Sequence, residues 1–251
     1  MEIVGMISGG KDSIYNLMCA VREGHRIVAL ANLRPPDEAG QSEIDSYMYQ
    51  SVGHSGIETI AEAMELPLYR RQIRGKPVNV EFEYQKTDGD EVEDLYELLS
   101  EVKRDFPNLK GVSAGAILSS YQKKRVEDVC SRLNLTPVCY LWERDQKELL
   151  NEMIENQIEA IIIKVASIGL KECHLGMTIK EIAPIVFDLN AKFDVHPCGE
   201  GGEYETFVLD CPLFKRKIVV REKEVIKHTD DAISPVYYLN LLKLDLVEKK
   251  S

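Results

Sequence analysis

No apolar run among the 251 residues reaches the roughly 18 positions that a membrane-crossing helix needs, so no membrane association is expected. No two cysteines stand in Cys-x-x-Cys spacing: Cys19, Cys130, Cys139, Cys173, Cys198 and Cys211 are all farther apart. That excludes zinc-ribbon and thioredoxin-like readings. Cys19 and Cys130 fall inside helical patterns and read as small buried hydrophobes. Basic charge is not in excess either, because the formal net charge is −11. A sequence-independent nucleic-acid binder presents a basic field, so no direct nucleic-acid contact is expected. The dinucleotide fingerprint G-x-G-x-x-G, internal repeats and low-complexity tracts are absent. No signal peptide is read ahead of the first strand, and the expected compartment is cytoplasmic, with reduced thiols.

What is present begins with Ser8-Gly9-Gly10-Lys11-Asp12-Ser13. It follows the apolar run Ile3–Ile7 and precedes Ile14, Leu17, Met18 and Val21, which recur with helical spacing. The glycines therefore turn the chain from a buried strand into a helix N-terminus. There, unpaired N–H groups and the helix dipole favour a phosphate. Ser8 and Ser13 add hydroxyls, and Lys11 adds a compact positive charge. Gly5, Gly10 and Lys11 fit G-x-x-x-x-G-K, but Asp12 stands where a Walker A loop has Ser or Thr. A carboxylate at the phosphate end requires a cation between them. That argues against γ-phosphate cleavage and for release of AMP and pyrophosphate.

The chain then alternates. Strands are expected at His25–Asn32, Leu68–Arg74, Gly111–Ile117, Pro137–Trp142 and Glu159–Val165. Helices are expected at Ile44–Leu66 (with a break near Gly53-His54), Glu91–Asp105, Ser119–Leu133, Gln146–Gln157 and Thr178–Ala191. Pro35–Ser42 reads as a loop. Thr178 with Glu181 reads as a capping box. This order implies a doubly wound, mainly parallel α/β sheet reaching to about residue 190. Thr206–Asp210, Lys217–Arg221 and Val236–Val247 form a strand-rich tail. Small residues at Gly111–Ile117 are expected to leave room for a ligand beside the sheet. Arg70, Arg71, Arg74 and Lys76 form the densest basic cluster, either a solvated edge or a triphosphate patch. Tyr121, Arg125 and Asp128 share a helix face. Arg125 there either reaches a ligand or pairs with Asp128 at the surface.

A second unusual stretch is Cys198-Gly199-Glu200-Gly201-Gly202-Glu203-Tyr204-Glu205-Thr206. Three glycines interleaved with three carboxylates build little core and suit a cationic group, or a metal carried on pyrophosphate. His196 and Cys198 alone do not make a metal site. Ser-His-Asp hydrolysis is not expected.

The chain resembles the diphthine–ammonia ligase (diphthamide synthetase) family of the N-type ATP pyrophosphatases. The resemblance rests on Ser8–Ser13, Ala29–Pro35, Asp45–Gln50, Leu68–Arg71, Gly89–Leu98, Gly115–Leu118 with Tyr121-Gln122, and Gly199–Thr206 through Asp210–Phe214. It implies a HUP-like ATP pyrophosphatase domain over 1–138 and a smaller α/β domain over 139–251. The implied reaction amidates diphthine on translation elongation factor 2, with ammonium as nitrogen donor and ATP cleaved to AMP and pyrophosphate through an acyl-adenylate. By resemblance, Ser8, Gly9, Gly10, Lys11, Asp12 and Ser13 hold the phosphates, and Ala31, Asn32 and Leu33 border the adenine. Mg2+ is implied at Asp12. Tyr121, Arg125, Glu200, Gly201, Gly202, Glu203, Tyr204, Glu205 and Thr206 face the substrate, and Lys11, Asp12 and Glu203 are the implied catalytic residues. A tRNA-modifying ATP pyrophosphatase and a non-catalytic nucleotide-binding module are the alternatives.

Overall fold

The computed structural model of the chain describes residues 1–36, 53–229 and 234–249. Two compact units emerge. One comprises Met1–Ser8, Asp12–His54 and Leu66–Trp142; the other comprises Gly9–Lys11, Ser55–Glu65 and Glu143–Ser251.

The first unit holds a five-stranded sheet of β1 (Glu2–Met6), β2 (Arg26–Arg34), β3 (Leu68–Gln72), β4 (Leu109–Ser113) and β5 (Thr136–Val138), in the order β3-β2-β1-β4-β5. All four pairings are parallel. The order reverses between β1 and β4. Right-handed crossovers therefore put α1 (Lys11–Arg22) on one face and α3 (Glu91–Asp105) and α4 (Ser120–Arg132) on the other. On the first face, Leu17 of α1 fills the space that Gly5 leaves beside Leu30. On the second, Val92, Leu95, Leu99 and Val102 of α3 and Val126, Val129 and Cys130 of α4 share one buried cluster with Val4, Ala31, Leu33 and Val112. Burial pushes the Cys130 thiol up to about 12, consistent with an inert core residue.

The expectation of one parallel sheet reaching residue 190 is corrected. β6 (Glu159–Val165) pairs antiparallel with β7 (Tyr204–Asp210) and β9 (Tyr237–Glu248), in a separate sheet ordered β7-β6-β9-β8, where β8 is Arg216–Lys227. The parallel sheet stops at β5 because Pro137 sits within that strand. A proline has no N–H to offer a further neighbour, so β5 is an edge.

The second unit also contains α5 (Gln146–Glu155) and α6 (Ile179–Phe193). Thr178 caps α6 as expected: its Oγ1 accepts from the Glu181 N–H at 3.2 Å, and the Glu181 carboxylate accepts from the Thr178 N–H at 2.8 Å. The helix expected over Ile44–Leu66 is described only from residue 53 onward; its first part, with Tyr47, Met48 and Tyr49, and the motif Asp45–Gln50 lie outside the described residues, as does most of the loop Pro35–Ser42. From His54 a 3-10 turn leads into α2 (Ile57–Met64), which is grouped with the second unit. Its C=O at Ala63 accepts from the Lys215 N–H at 2.6 Å. No described helix is long and apolar enough to cross a membrane.

Asn16 fastens the ends of β4 and β5 to α1. Fully buried, it donates through Nδ2 to Ser113 Oγ and to the Val138 carbonyl, both at 2.7 Å, and accepts from the Tyr140 N–H at 2.7 Å. Asn16→Ala removes all three bonds inside the fold and leaves the Tyr140 N–H without its partner, while the Val138 carbonyl keeps the Ala114 N–H at 3.1 Å. We expect a loss of about 2–4 kcal/mol in urea denaturation, with an unchanged m-value. A loss below about 0.5 kcal/mol would show that these bonds do not hold the strand ends.

Candidate functional site

The loop after β1 is built by two opposed requirements. Gly9 has φ +90, and a side chain there would press on Ile57 and Phe207 at 3.1–3.4 Å. Its carbonyl accepts from the Val208 N–H at 2.9 Å, and the Lys11 N–H donates to Thr206 Oγ1 at 3.0 Å. Gly9–Lys11 is thereby stitched onto β7. Lys11 is 2% exposed, and its Nζ donates to the Cys198 carbonyl at 2.5 Å while lying 5.1 Å from the Tyr204 ring centroid. The ammonium thus points at the second unusual stretch of the sequence. Ser8 and Ser13 approach each other, with hydroxyls 3.4 Å apart and the Ser8 N–H 3.3 Å from Ser13 Oγ.

The stretch from His196 to Thr206 coils tightly on itself. Gly199, Gly201 and Gly202 all have positive φ, of 74, 71 and 78. A Cβ at Gly199 would lie 2.6 Å from the Tyr204 carbonyl oxygen, whereas Gly201 and Gly202 face open space. The Tyr204 hydroxyl donates to the Pro197 carbonyl at 2.6 Å. Glu203 accepts the His196 N–H at 2.5 Å, and burial raises its carboxyl above the ordinary value. Glu205 pairs with Lys164 at 3.4 Å. Glu200 opens the short turn Glu200–Gly202 and is half-buried. Sequence reasoning weighs His196 only with Cys198, as a metal ligand that the pair alone does not establish. Yet its Nδ1 accepts the Cys198 N–H at 3.2 Å, and burial, then the Lys11 charge, pushes the imidazole down to about 4. A polar residue two places before an acidic glycine loop was the available signal.

In the first unit, Ala31 and Leu33 point into the core cluster, so only their backbone is available to a ligand. Asn32 faces the other way. Its Nδ2 donates to the Ile7 carbonyl at 2.9 Å, and its Oδ1 accepts from Arg70 Nε at 3.1 Å. Arg70 also donates to the His54 carbonyl at 3.0 Å. The basic cluster is not one patch, because Arg71 pairs with Glu97 and Glu101 instead. The small residues after β4 make room for the protein itself: a Cβ at Gly115 would lie 2.7 Å from the backbone of Asp12 and Ser13. This corrects the expectation that they leave space for a ligand.

Arg125 behaves unlike either expectation. It has no exposed surface and donates to the carbonyls of Tyr121 (3.2 Å), Asn79 (2.5 Å) and Glu81 (3.2 Å), with its Cζ 3.2 Å from the Tyr121 ring centroid. Asp128 pairs with Arg132 at 3.1 Å instead. Tyr121 and Arg125 together brace the segment after β3. Gly111-Val112-Ser113-Ala114-Gly115 does carry the G-x-S-x-G spacing of a nucleophile elbow. Ser113, however, is fully buried on β4 and hydrogen-bonded to Asn16, so it is not a nucleophile.

The donor set fits a polyphosphate. Two hydroxyls and glycine backbone lie at the N-terminus of the twelve-residue helix α1. It does not form a metal cage, because no group of three or more His, Cys, Asp or Glu is placed to hold an ion among the described residues. A magnesium ion would take most of its ligands from phosphate and water, with Asp12 the loop's single carboxylate.

Residues 1–137 match the family described as diphthamide synthase N-terminal domain, and residues 145–239 match the diphthamide synthase C-terminal domain. Over its whole length the chain is 59% identical to a Rattus norvegicus protein and 56% identical to a Homo sapiens protein, both named diphthine–ammonia ligase, covering 94% of each. A Schizosaccharomyces pombe protein of the same name is 54% identical over 93% of the chain, which spans 38% of that longer protein. A solved structure titled as a predicted subunit of tRNA methyltransferase from Methanocaldococcus jannaschii aligns with 84% of the chain and 98% of its own, at 14% identity and a TM-score of 0.38, too distant to bear on function.

The His196 environment sets a pH dependence. The folded imidazole lies near 4 against an ordinary 6.5, so its contribution to stability is fully present above 6.5 and is lost as pH falls toward 4. Glu203, raised by burial, contributes in the opposite sense, most at low pH. His196→Gln is therefore expected to flatten the acid limb of the melting-temperature profile between pH 6.5 and 4. The difference is on the order of 1–2 kcal/mol, allowing for the part of the ring that meets water. Parallel profiles for the two proteins would refute the assignment.

Proposed function

We infer that this chain, which belongs to the diphthamide synthase family, amidates diphthine to diphthamide with ammonia at the expense of ATP. The observation that carries this reading is the stitching of Gly9–Lys11 onto Cys198–Thr206. A loop suited to phosphate and a loop suited to a cationic substrate are thereby joined, which an ATP-dependent ligase of a trimethylated amino acid requires.

The roles follow from chemistry. Ser8, Gly9, Gly10 and Ser13, with the first amides of α1, hold the phosphates of ATP. Asp12 is the carboxylate that would help hold a Mg2+ ion, which would supply charge neutralisation for a departing pyrophosphate. The backbone of Ala31–Leu33 borders the adenine. The diphthine carboxylate attacks the α-phosphorus; an acyl-phosphate bond forms and the bond to pyrophosphate breaks. Ammonia then attacks the acyl carbon, and AMP leaves with the carboxyl-derived oxygen. Lys11, buried on the Cys198 carbonyl, fixes the loop and its charge in one orientation, so that catalysis is mostly positioning. Glu200 and Glu203, with the open backbone of Gly201 and Gly202, receive the trimethylammonium group. Tyr204, Glu205 and Thr206 act behind them, since each is engaged with Pro197, Lys164 and Lys11 respectively. Arg125 and Tyr121 serve as a brace and are not retained as substrate contacts. The protein substrate is translation elongation factor 2 carrying diphthine, and the site of action is the cytoplasm. The latter is supported by six cysteines that are all free.

With diphthine-bearing factor and ammonium, the purified chain is expected to form AMP and pyrophosphate in equal amounts with diphthamide; production of ADP would overturn the mechanism. Glu203→Gln is expected to retain ATP binding by calorimetry and to lose about 100-fold or more in amidation. Loss of ATP binding instead would move Glu203 to the nucleotide side of the reaction.

A further inference from the structure

His196 is held at its main chain and at its ring. Its backbone N–H donates to the Glu203 carboxylate at 2.5 Å and its backbone carbonyl accepts from the Gly199 N–H at 2.8 Å, while the ring Nδ1 accepts from the Cys198 N–H at 3.2 Å. A backbone amide can only donate, so Nδ1 carries no proton, and the neutral ring bears its proton on Nε2. That Nε2 is buried and has no hydrogen-bond partner among the described residues. Leaving a buried donor unsatisfied is costly, and such groups in native folds call for an explanation. Burial and the nearby Lys11 keep the ring uncharged at neutral pH. It is thus a fixed donor, not a proton carrier. Its neighbours are the Lys11 ammonium and Glu203, the residues on which the ligase reading rests.

We propose that His196 Nε2–H donates to an oxygen of the reacting diphthine carboxyl group and orients it for attack on ATP. The proposal rests on the ligase reading above. The acceptor must be an electron-rich oxygen, a chemistry that a carboxyl group and an ATP phosphate share. A carboxyl oxygen is favoured because His196 adjoins the Cys198–Thr206 turn and its ring is fixed there by the Cys198 N–H, whereas the hydroxyls suited to phosphate belong to Ser8 and Ser13. No proton is transferred: the donor strengthens its bond as negative charge concentrates on the oxygen.

Two variants separate this from a structural role. His196→Asn keeps an acceptor near the Nδ1 position but withdraws the Nε2 donor; His196→Gln can return an N–H to the Nε2 position. Steady-state amidation with diphthine-bearing factor, and ATP affinity by calorimetry, are measured on the full chain. The proposal expects kcat to fall about 10- to 100-fold in His196→Asn, with ATP affinity within twofold of wild type, and His196→Gln to recover most of the rate. Wild-type turnover in His196→Asn, or rescue by Asn and not by Gln, overturns it in favour of a structural ring. Weakened ATP binding with intact kcat reassigns the donor to a phosphate and also overturns it. The ligase reading fails separately, if the wild-type chain itself makes no AMP from diphthine-bearing factor and ammonium.

Discussion

The loop after β1 is fixed to strand β7 by two hydrogen bonds, on which the arrangement around Lys11 depends. The Lys11 N–H reaches Thr206 Oγ1, and the Gly9 carbonyl receives the Val208 N–H. Neither is strong alone, each being worth about 1 kcal/mol net. They act on a loop whose backbone conformation only glycine tolerates, and they are roofed by Phe207, which leaves room for no side chain at Gly56. The Lys11 ammonium, nearly excluded from solvent, then has a carbonyl and an aromatic face to satisfy it. A cation so placed stays only where the partners are fixed, which is why the Gly199 turn and the Tyr204–Pro197 bond belong to the same construction.

The first unit uses charge in another way. Asp90 caps α3 through the Val92 N–H and at the same time accepts from Val78 and Asn79. Asp94 accepts from Arg74 and Gly75 at 2.8 Å. Arg125 pins the following carbonyls from the opposite side. The segment between β3 and α3, which has little regular structure of its own, is held by side chains that bind its backbone.

Much of this was legible beforehand, for a physical reason in each case. Helical spacing after Ser8–Ser13 and the apolar strand before it located the loop, because burial imposes periodicity. The capping box at Thr178 was legible because its chemistry is local. The partner of β6 was not: a fully apolar strand suits the middle of either sheet, and the single proline that closes the first sheet lies in β5. β8 runs to Lys227, well past the expected Arg221, because its outer half is mostly exposed and carries Glu222, Lys223 and Glu224 ahead of Val225 and Ile226, with no buried face to show. Arg125 misled because a buried arginine bound to carbonyls has the same sequence signature as one on a surface. His196 is legible only as a metal-ligand candidate beside Cys198, because which of its nitrogens is protonated is decided by its neighbours.

The bond from Lys11 to Thr206 spans 195 residues. Gly9–Lys11 and Ser55–Glu65, made early, are grouped with a unit whose sheet is completed only by β9. A growing chain can pair β1 with β2 soon after both emerge, but the loop after β1 lacks its bonds to β7 until that strand has been synthesised. Such distant closure slows folding. It also couples the loop to completion of the chain: a chain truncated before Thr206 lacks the atoms that hold Gly9–Lys11 in the conformation seen here.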